Sequence, residues 1–274
     1  MKTGALETVI GRVALLVVLI VTFVPFLTML SAALQPQGTV PTGLQWPADP
    51  HWENFAVAFE AAHLDRLLVS SVLIVLGVVP VSILFATMAG FALARLRLRG
   101  AGIVVVVLLL GLTIPFETII TPLYFQVRAM GILNTELAII LPLIGLFMPF
   151  SVIWMRAHFL SVPNEVSEAA RVDGAGVWQE FRRIQLPLAV PPVAALAILL
   201  FLWTWNQYLL AIVLQNDPLR RTMAGALGAF QGRYGNDMVL LSAGTILIIL
   251  PTIIVFLFFQ RHFIAALLQG AVKG

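Results

Sequence analysis

The sequence predicts an all-α, polytopic membrane protein with six transmembrane helices and one long cytoplasmic loop of helical character. Three observations carry this. Hydrophobic residues make up 60% of the 274 residues and charged residues 11%, whereas an ordinary soluble domain carries about 25% charged residues. Six apolar segments, at 13–33, 68–93, 102–125, 137–156, 188–213 and 239–259, reach the ~20 residues a helix needs to cross the hydrocarbon core. The basic residues fall between these segments and are shared unequally between the two sides. No stretch is polar enough for an independent soluble domain, so residues 1–274 read as a single transmembrane domain.

Taken in order, Lys2 and Arg12 precede the first apolar run, which ends at Ser31-Ala32-Ala33 and superficially resembles a cleavable signal peptide. The run exceeds the usual 7 to 15 residues, which favours an uncleaved first helix. Residues 35–66 hold Pro36, Pro41, Pro47 and Pro50 with Trp46 and Trp52, the composition of an irregular outer loop with interfacial aromatic anchors. In the second span Ala86, Gly90 and Ala94 recur every four residues, a small-residue face that lets helix backbones approach closely. The turn Arg95-Leu96-Arg97-Leu98-Arg99-Gly100 is short and basic and pins the second and third spans to one membrane face. Pro25, Pro80, Pro115, Pro142, Pro149 and Pro251 lie inside spans, where kinks persist if neighbouring helices satisfy the freed carbonyls.

With the N-terminus inside, one side carries Lys2, Arg12, Arg95, Arg97, Arg99, Arg156, Arg171, Arg182, Arg183, Arg261 and Lys273, and the other Arg66, Arg128, Arg220, Arg221 and Arg233. This excess of basic residues on one side predicts a multi-pass protein with both termini cytoplasmic. The same distribution accounts for the net charge of +3 without a nucleic-acid partner, because the basic residues form no single patch. The absence of cysteine removes disulfides and thiolate metal sites, and His51, His63, His158 and His262 lack metal-ligand spacing.

The most informative segment is the loop at about 158–187, between the fourth and fifth spans. Ser161 suits a helix N-cap, Pro163 the first turn, and Glu165 the positive end of the helix dipole. Val166, Ala169, Ala170 and Val172 form a modest apolar stripe. Gly174 and Gly176 can end or redirect the chain, and a second helix then runs to about Gln185. Two short helices joined at a glycine predict a compact knob. An amphipathic interfacial helix held at anionic headgroups by Arg171, Arg182 and Arg183 is the competing reading.

At these residues the chain resembles the integral membrane subunits of binding-protein-dependent ABC importers. Their signature is Glu-Ala-Ala, three residues, Gly, nine residues, Ile, one residue, Leu-Pro. Here it reads Glu168-Ala169-Ala170, Gly174, Ile184 and Leu186-Pro187, with every gap matched. The resemblance implies ATPase-coupling roles for Glu168, Ala169, Ala170, Asp173, Gly174, Ile184, Leu186 and Pro187: the glutamate pairs with a basic residue of the ATPase, the alanines allow close seating, and the glycine makes the turn. It also implies that this chain binds no cofactor, while ATP and Mg are used by a separate subunit. In agreement, the only lysines, Lys2 and Lys273, sit in no Gly-x-x-x-x-Gly-Lys-[Ser/Thr] motif, and Gly174-x-Gly176 is followed by Gln179 where a dinucleotide fingerprint needs glycine.

Over most of its length the chain is similar to the shorter permeases of the maltose and oligosaccharide branch. The matching stretches are Ala89-Gly90-Phe91-Ala92-Leu93-Ala94-Arg95, Pro122-Leu123-Tyr124, Gly131-Ile132-Leu133-Asn134-Thr135, Trp205-Asn206-Gln207-Tyr208 and Gln260-Arg261, with the tail Gly270-Ala271-Val272-Lys273-Gly274. The resemblance implies a second permease subunit, two copies of an ABC ATPase, an extracytoplasmic sugar-binding protein, surrounding membrane lipid and a prokaryotic cell membrane. It further implies a tail contact to the ATPase through Gln269, Gly270 and Lys273, and a binding-protein contact through the flexible loop 216–237, for which an inert connector is the competing reading. Trp203, Trp205, Asn206, Gln207 and Tyr208 place aromatic faces and amides in the fifth span, suited to sugar stacking or to an aromatic belt. Glu117, with Thr113, Thr118 and Thr121, is the acidic residue expected within a span and facing a cavity, or else near the outer surface. Import of a polyol, amino acid or peptide is the alternative, and an ATP-independent secondary transporter a more distant one.

Overall fold

The computed structural model describes the backbone of residues 5–232 and 235–271 and the side chains of 7–228, 230 and 237–260. Among the described residues, four helices are long and apolar enough to cross a membrane: Glu7–Ala33, Leu64–Arg95, Leu137–Ser161 and Met238–Gln260. Two further pairs pass the same length and composition test only together, Ala101–Thr113 with Phe116–Ala129, bent by 100°, and Val177–Leu188 with Val190–Trp205, bent by 72°. Counting each bent pair as one crossing gives up to six.

By its internal contacts the chain divides into two compact units. The first holds residues 1–65 and 226–250. Its helix α1 (Ala5–Ala33) packs against little of its own chain over its apolar length, which suits a hydrophobic helix whose surface is covered by lipid. The following segment is not the irregular loop expected, because it contains helix α2 (Glu53–Ala61). Buried Asn54 fixes it: its amide donates to the carbonyls of Ala33 at 2.9 Å and Gln35 at 2.8 Å, and its Oδ1 accepts from Gln37. At the start of α2, His51 Nδ1 lies 2.6 Å from Glu53 Oε1, and this hydrogen bond holds the carboxyl below its usual range.

The second unit holds residues 66–225 and 251–274. Helices α3 (Leu64–Arg95) and α6 (Leu137–Ser161) contribute to two hydrophobic clusters among the described residues. One cluster joins Ile74 and Val78 of α3 to Ile139 and Leu143 of α6 and to Leu210 and Leu214 of the short helix α11 (Leu209–Leu214). The other joins Ala86 and Phe91 to Met155 and Phe159, and to Leu196 and Leu200 of α10 (Val190–Trp205). Trp154 Nε1 donates to the Pro192 carbonyl at 3.1 Å, a further tie from α6 to α10.

The third expected span, 102–125, is two helices and not one, α4 (Ala101–Thr113) and α5 (Phe116–Ala129). Ile114 is extended, with ψ of 120°, the conformation forced on a residue before proline, and Pro115 opens the new helix as its N-cap. The fifth, 188–213, is likewise divided: α10 stops at Trp205, and Asn206, Gln207 and Tyr208 separate it from α11. By contrast Pro25, Pro80, Pro142, Pro149 and Pro251 sit inside continuous helices.

The small-residue face of α3 is where it meets α6. Ala86 is fully buried, and a Cβ on Gly90 would lie 2.8 Å from both the Arg156 backbone nitrogen and Met155 Cβ. Gly90→Val is therefore expected to cost about 1–3 kcal/mol through overpacking, whereas Gly145→Val, at a helical glycine with open space around it, costs less. Thermal unfolding of both variants in detergent, read by tryptophan fluorescence, checks this; equal transition temperatures would contradict the close approach.

Candidate coupling site

The loop between α6 and α10 is built from two arms. The first, α7 (Asn164–Val172), begins without a Ser161 cap: α6 continues through Ser161, whose hydroxyl donates back to the His158 carbonyl, and Pro163 takes the N-cap position. Arg95, at the end of α3, instead anchors the start of α7. Its Nη1 donates to Asn164 Oδ1 at 2.6 Å and its Nη2 to the Val162 carbonyl.

The end of α7 explains the signature glycine. Gly174 has φ of +78°, the left-handed conformation that glycine adopts without steric penalty. Its N–H donates to Arg171 O at 3.0 Å, and that of Ala175 to Ala170 O at 2.9 Å. This paired closure satisfies two carbonyls that a helix C-terminus otherwise leaves unbonded. The chain then enters the second arm, α8 (Val177–Glu180), whose entry is fixed by Gly176 N–H donating to Gln179 Oε1 at 3.1 Å.

A π-helical turn, Phe181–Gln185, follows α8 and leads into the three-residue helix α9 (Leu186–Leu188). Pro187 has no N–H to return to the turn before it, which accounts for regular α-helix giving way here. The signature's Ile184 and Leu186 are half-buried in this stretch, and Pro187 is exposed.

Helical periodicity divides α7 into two faces. Ser167 and Ala170 are buried, while Glu168, Ala169, Val172 and Asp173 are exposed, Val172 by 86%. Ala170 thus packs against its own chain, and Ala169 is the alanine left open for close approach from outside. The inner face is held by a polar network: Gln185, fully buried, donates from Nε2 to Ser167 Oγ at 3.1 Å and lies 3.5 Å from Glu180 Oε1. Arg171 Nε is 4.0 Å from the other oxygen of Glu180, a carboxylate only 2% exposed. Phe181 completes the attachment, its ring centroid 5.2 Å from Phe91 of α3 and 5.3 Å from Trp178.

Sequence reasoning missed Arg95, Glu180, Gln185 and Phe181 as the residues that fasten the loop, and Val172 and Trp178 as exposed apolar residues on it. The signal for Arg95 was its place at the end of a matched stretch. The others carry no local pattern.

The candidate pathway residues separate. Trp205 is buried and stacks on Phe201 at 5.5 Å. Trp203 is 39% exposed and packs edge-on to Phe150 at 4.9 Å. Exposed Asn206 donates to Leu202 O at 2.8 Å, while half-buried Gln207 accepts from Leu210 N–H, both closing the break between α10 and α11; Tyr208 is half-buried. Glu117 is exposed in the first turn of α5 beside exposed Thr118 and Thr121, a favourable place for a carboxylate at a helix N-terminus.

The loop expected to be flexible is tightly held at its start. Asn134, with φ of +62°, accepts at Oδ1 from Asn216 N–H at 2.6 Å, and its carbonyl accepts from Arg220 at 2.9 Å. Met223 N–H donates to Ser71 Oγ at 2.7 Å. Arg233 lies outside the described residues, as does Lys273; the side chains of Gln269 and Gly270 also lie outside them.

Apolar helices long enough to cross a membrane, joined by a loop with an exposed, internally braced α7, define a polytopic membrane protein. Residues 82–269 match the family described as binding-protein-dependent transport system inner membrane component, and the chain belongs to that family. Among its relatives, it is 32% identical over 258 residues to the diacetylchitobiose uptake system permease protein NgcG of Streptomyces coelicolor, covering 93% of this chain and 85% of that protein. It is 35% identical over 255 residues, 91% of each chain, to the arabinooligosaccharides transport system permease protein AraQ of Halalkalibacterium halodurans. A 33% identity covers 91% of this chain and 92% of the trehalose transport system permease protein SugB of Mycobacterium tuberculosis. The fold is similar to a chain of a bacterial ABC transporter involved in import of the acidic polysaccharide alginate, with TM-score 0.79, 21% identity and coverage of 96% of this chain and 98% of that one.

Removing the Phe181 ring is expected to loosen both arms. Phe181→Ala should cost about 3–5 kcal/mol and speed tryptic cleavage after the exposed Arg171, Arg182 and Arg183. Unchanged cleavage rates would show that the aromatic contacts do not hold the loop.

Proposed function

We propose that the chain is the permease subunit of an ATP-driven, binding-protein-dependent importer of disaccharides or oligosaccharides. The carrying observation is the exposed face of α7, Glu168, Ala169, Val172 and Asp173, on a helix whose other face is locked to its own bundle. Such a face receives a separate ATPase: small Ala169 permits close seating, Val172 and Trp178 offer apolar area, and Glu168 offers a charge for a basic partner. Gly174, Ala170, Ile184, Leu186 and Pro187 shape and support that face from behind. The names of the relatives, all of them sugar transport permeases in the three cases given, support the sugar class.

The whole chain acts as one permease domain, with a second permease subunit supplying the other half of the pathway. Two ATPase copies use ATP and Mg, which this chain does not bind, and an extracytoplasmic sugar-binding protein delivers the solute. The excess of basic residues on one side supports a reading in which α7 and both termini face the cytoplasm, and the family resemblance supports a prokaryotic cell membrane. Gln269, Gly270 and Lys273 contribute a second ATPase contact. Exposed Glu117, Trp203 and Asn206 and half-buried Gln207 supply polar and aromatic surface to the path. Closure of the ATPase pair moves the two α7 helices, and the braced arms pass that motion into α6 and α10.

Glu168→Lys is expected to leave the chain inserted while weakening ATPase assembly by roughly 2 to 5 kcal/mol, the cost of losing a desolvated ion pair. Copurification of the ATPase and sugar uptake by the reconstituted complex test this; normal assembly and uptake in the variant would remove Glu168 from the proposed interface. Binding of a radiolabelled disaccharide by the cognate binding protein tests the solute class separately.

A further inference from the structure

We propose that the junction between α3 and the α7–α8 loop is a binding site for one anionic glycerophospholipid. Two concavities adjoin there. The first, of about 600 Å³, is lined by Arg95, Arg97, Arg171 and Glu168, with Leu96 and Val177 at its edge. The second, of about 260 Å³, is walled by Leu96 and Val177 again, together with Met88, Phe91, Ala92 and Trp178. A polar cleft and an apolar groove therefore share two wall residues, which is the arrangement an amphiphile requires.

Charge favours an anion in the cleft, since three guanidinium groups face one carboxylate. Arg95 is committed to Asn164 and the Val162 carbonyl, and the Nε of Arg171 is turned toward Glu180. Exposed Arg97 has no hydrogen bond or ion pair among the described residues and is free to donate to a phosphodiester. The apolar groove is open along the helix that forms it. Leu84, Met88 and Ala92 recur every four residues on α3 and Leu96 follows just past its end, with Leu84 54% and Met88 40% exposed, so one apolar stripe runs from the membrane-spanning body of the helix into the groove. An acyl chain enters along that stripe while its headgroup meets Arg97 and Arg171. A free phosphate would use only the cleft, and a docking protein would not require the stripe to continue into the span. The proposal is independent of which solute is carried.

Native mass spectrometry of the purified transporter complex, after exchange into phosphatidylglycerol or phosphatidylcholine, tests this. Phosphatidylglycerol is expected to be retained in preference, and Arg97→Gln to lower its retention about fivefold, the loss of one surface cation at a headgroup. Met88→Trp, which fills the groove without touching the arginines, is expected to lower retention of the same lipid. Inorganic phosphate alone is expected not to displace it, and a benzophenone side chain at position 88 to crosslink to lipid. Equal retention of the two lipids, retention unchanged in both variants, displacement by phosphate, or crosslinking to a protein chain would each overturn the proposal.

Discussion

Helices in a bilayer gain little by burying apolar surface against one another, because lipid is as apolar as leucine, and their association rests on close packing. In this chain α3 crosses α6 closely at Gly90, where a Cβ would lie 2.8 Å from the Arg156 backbone nitrogen and from Met155 Cβ. The functional end of the bundle follows from this approach. One residue on, Phe91 meets Phe159 at 5.7 Å and Phe181 at 5.2 Å. One turn further, Arg95 reaches the residues that open α7. A side chain at position 90 would separate these partners together.

The loop itself combines a rigid interior with an open exterior. Ser167, Glu180 and Gln185 bury polar groups that would be costly without partners; Gln185 Nε2 reaches Ser167 Oγ and Glu180 Oε1, while Gln185 Oε1 finds no partner among the described residues. A buried polar network of this kind favours one register between the arms, since slippage would strand each group. The outer face, freed from any structural task, keeps Glu168, Ala169 and Val172 available. Rigidity behind and exposure in front are what a helix needs if displacement of one end is to move the transmembrane bundle.

The interruptions in α4–α5 and α10–α11 serve polar residues. Thr113 bonds back to Leu110 O and Thr118 to Pro115 O, at 2.7 Å each, which closes one helix and opens the next around Pro115. Asn206 and Gln207 do the same between α10 and α11. Amides that read as sugar-binding groups along the chain are thus partly spent on satisfying backbone at a break. Asn134 shows the converse: within a stretch of unremarkable composition, it is the hub to which the start of the 216–237 loop is tied.

Much was legible in the linear sequence because it depends on local chemistry. Apolar length located the membrane segments, the spacing from Glu168 to Pro187 marked the braced loop between α6 and α10, and Gly174 marked its turn because glycine adopts that conformation without strain. A proline followed by Glu117 at the start of a helix was a readable break signal, although the apolar run around it pointed to a single rod. Other features belong to tertiary structure alone. Which alanine of the pair turns inward, which tryptophan is buried, and which arginine braces α7 depend on contacts between residues as far apart as Arg95 and Asn164. Periodicity and propensity describe one helix at a time, and these choices are made where two helices meet.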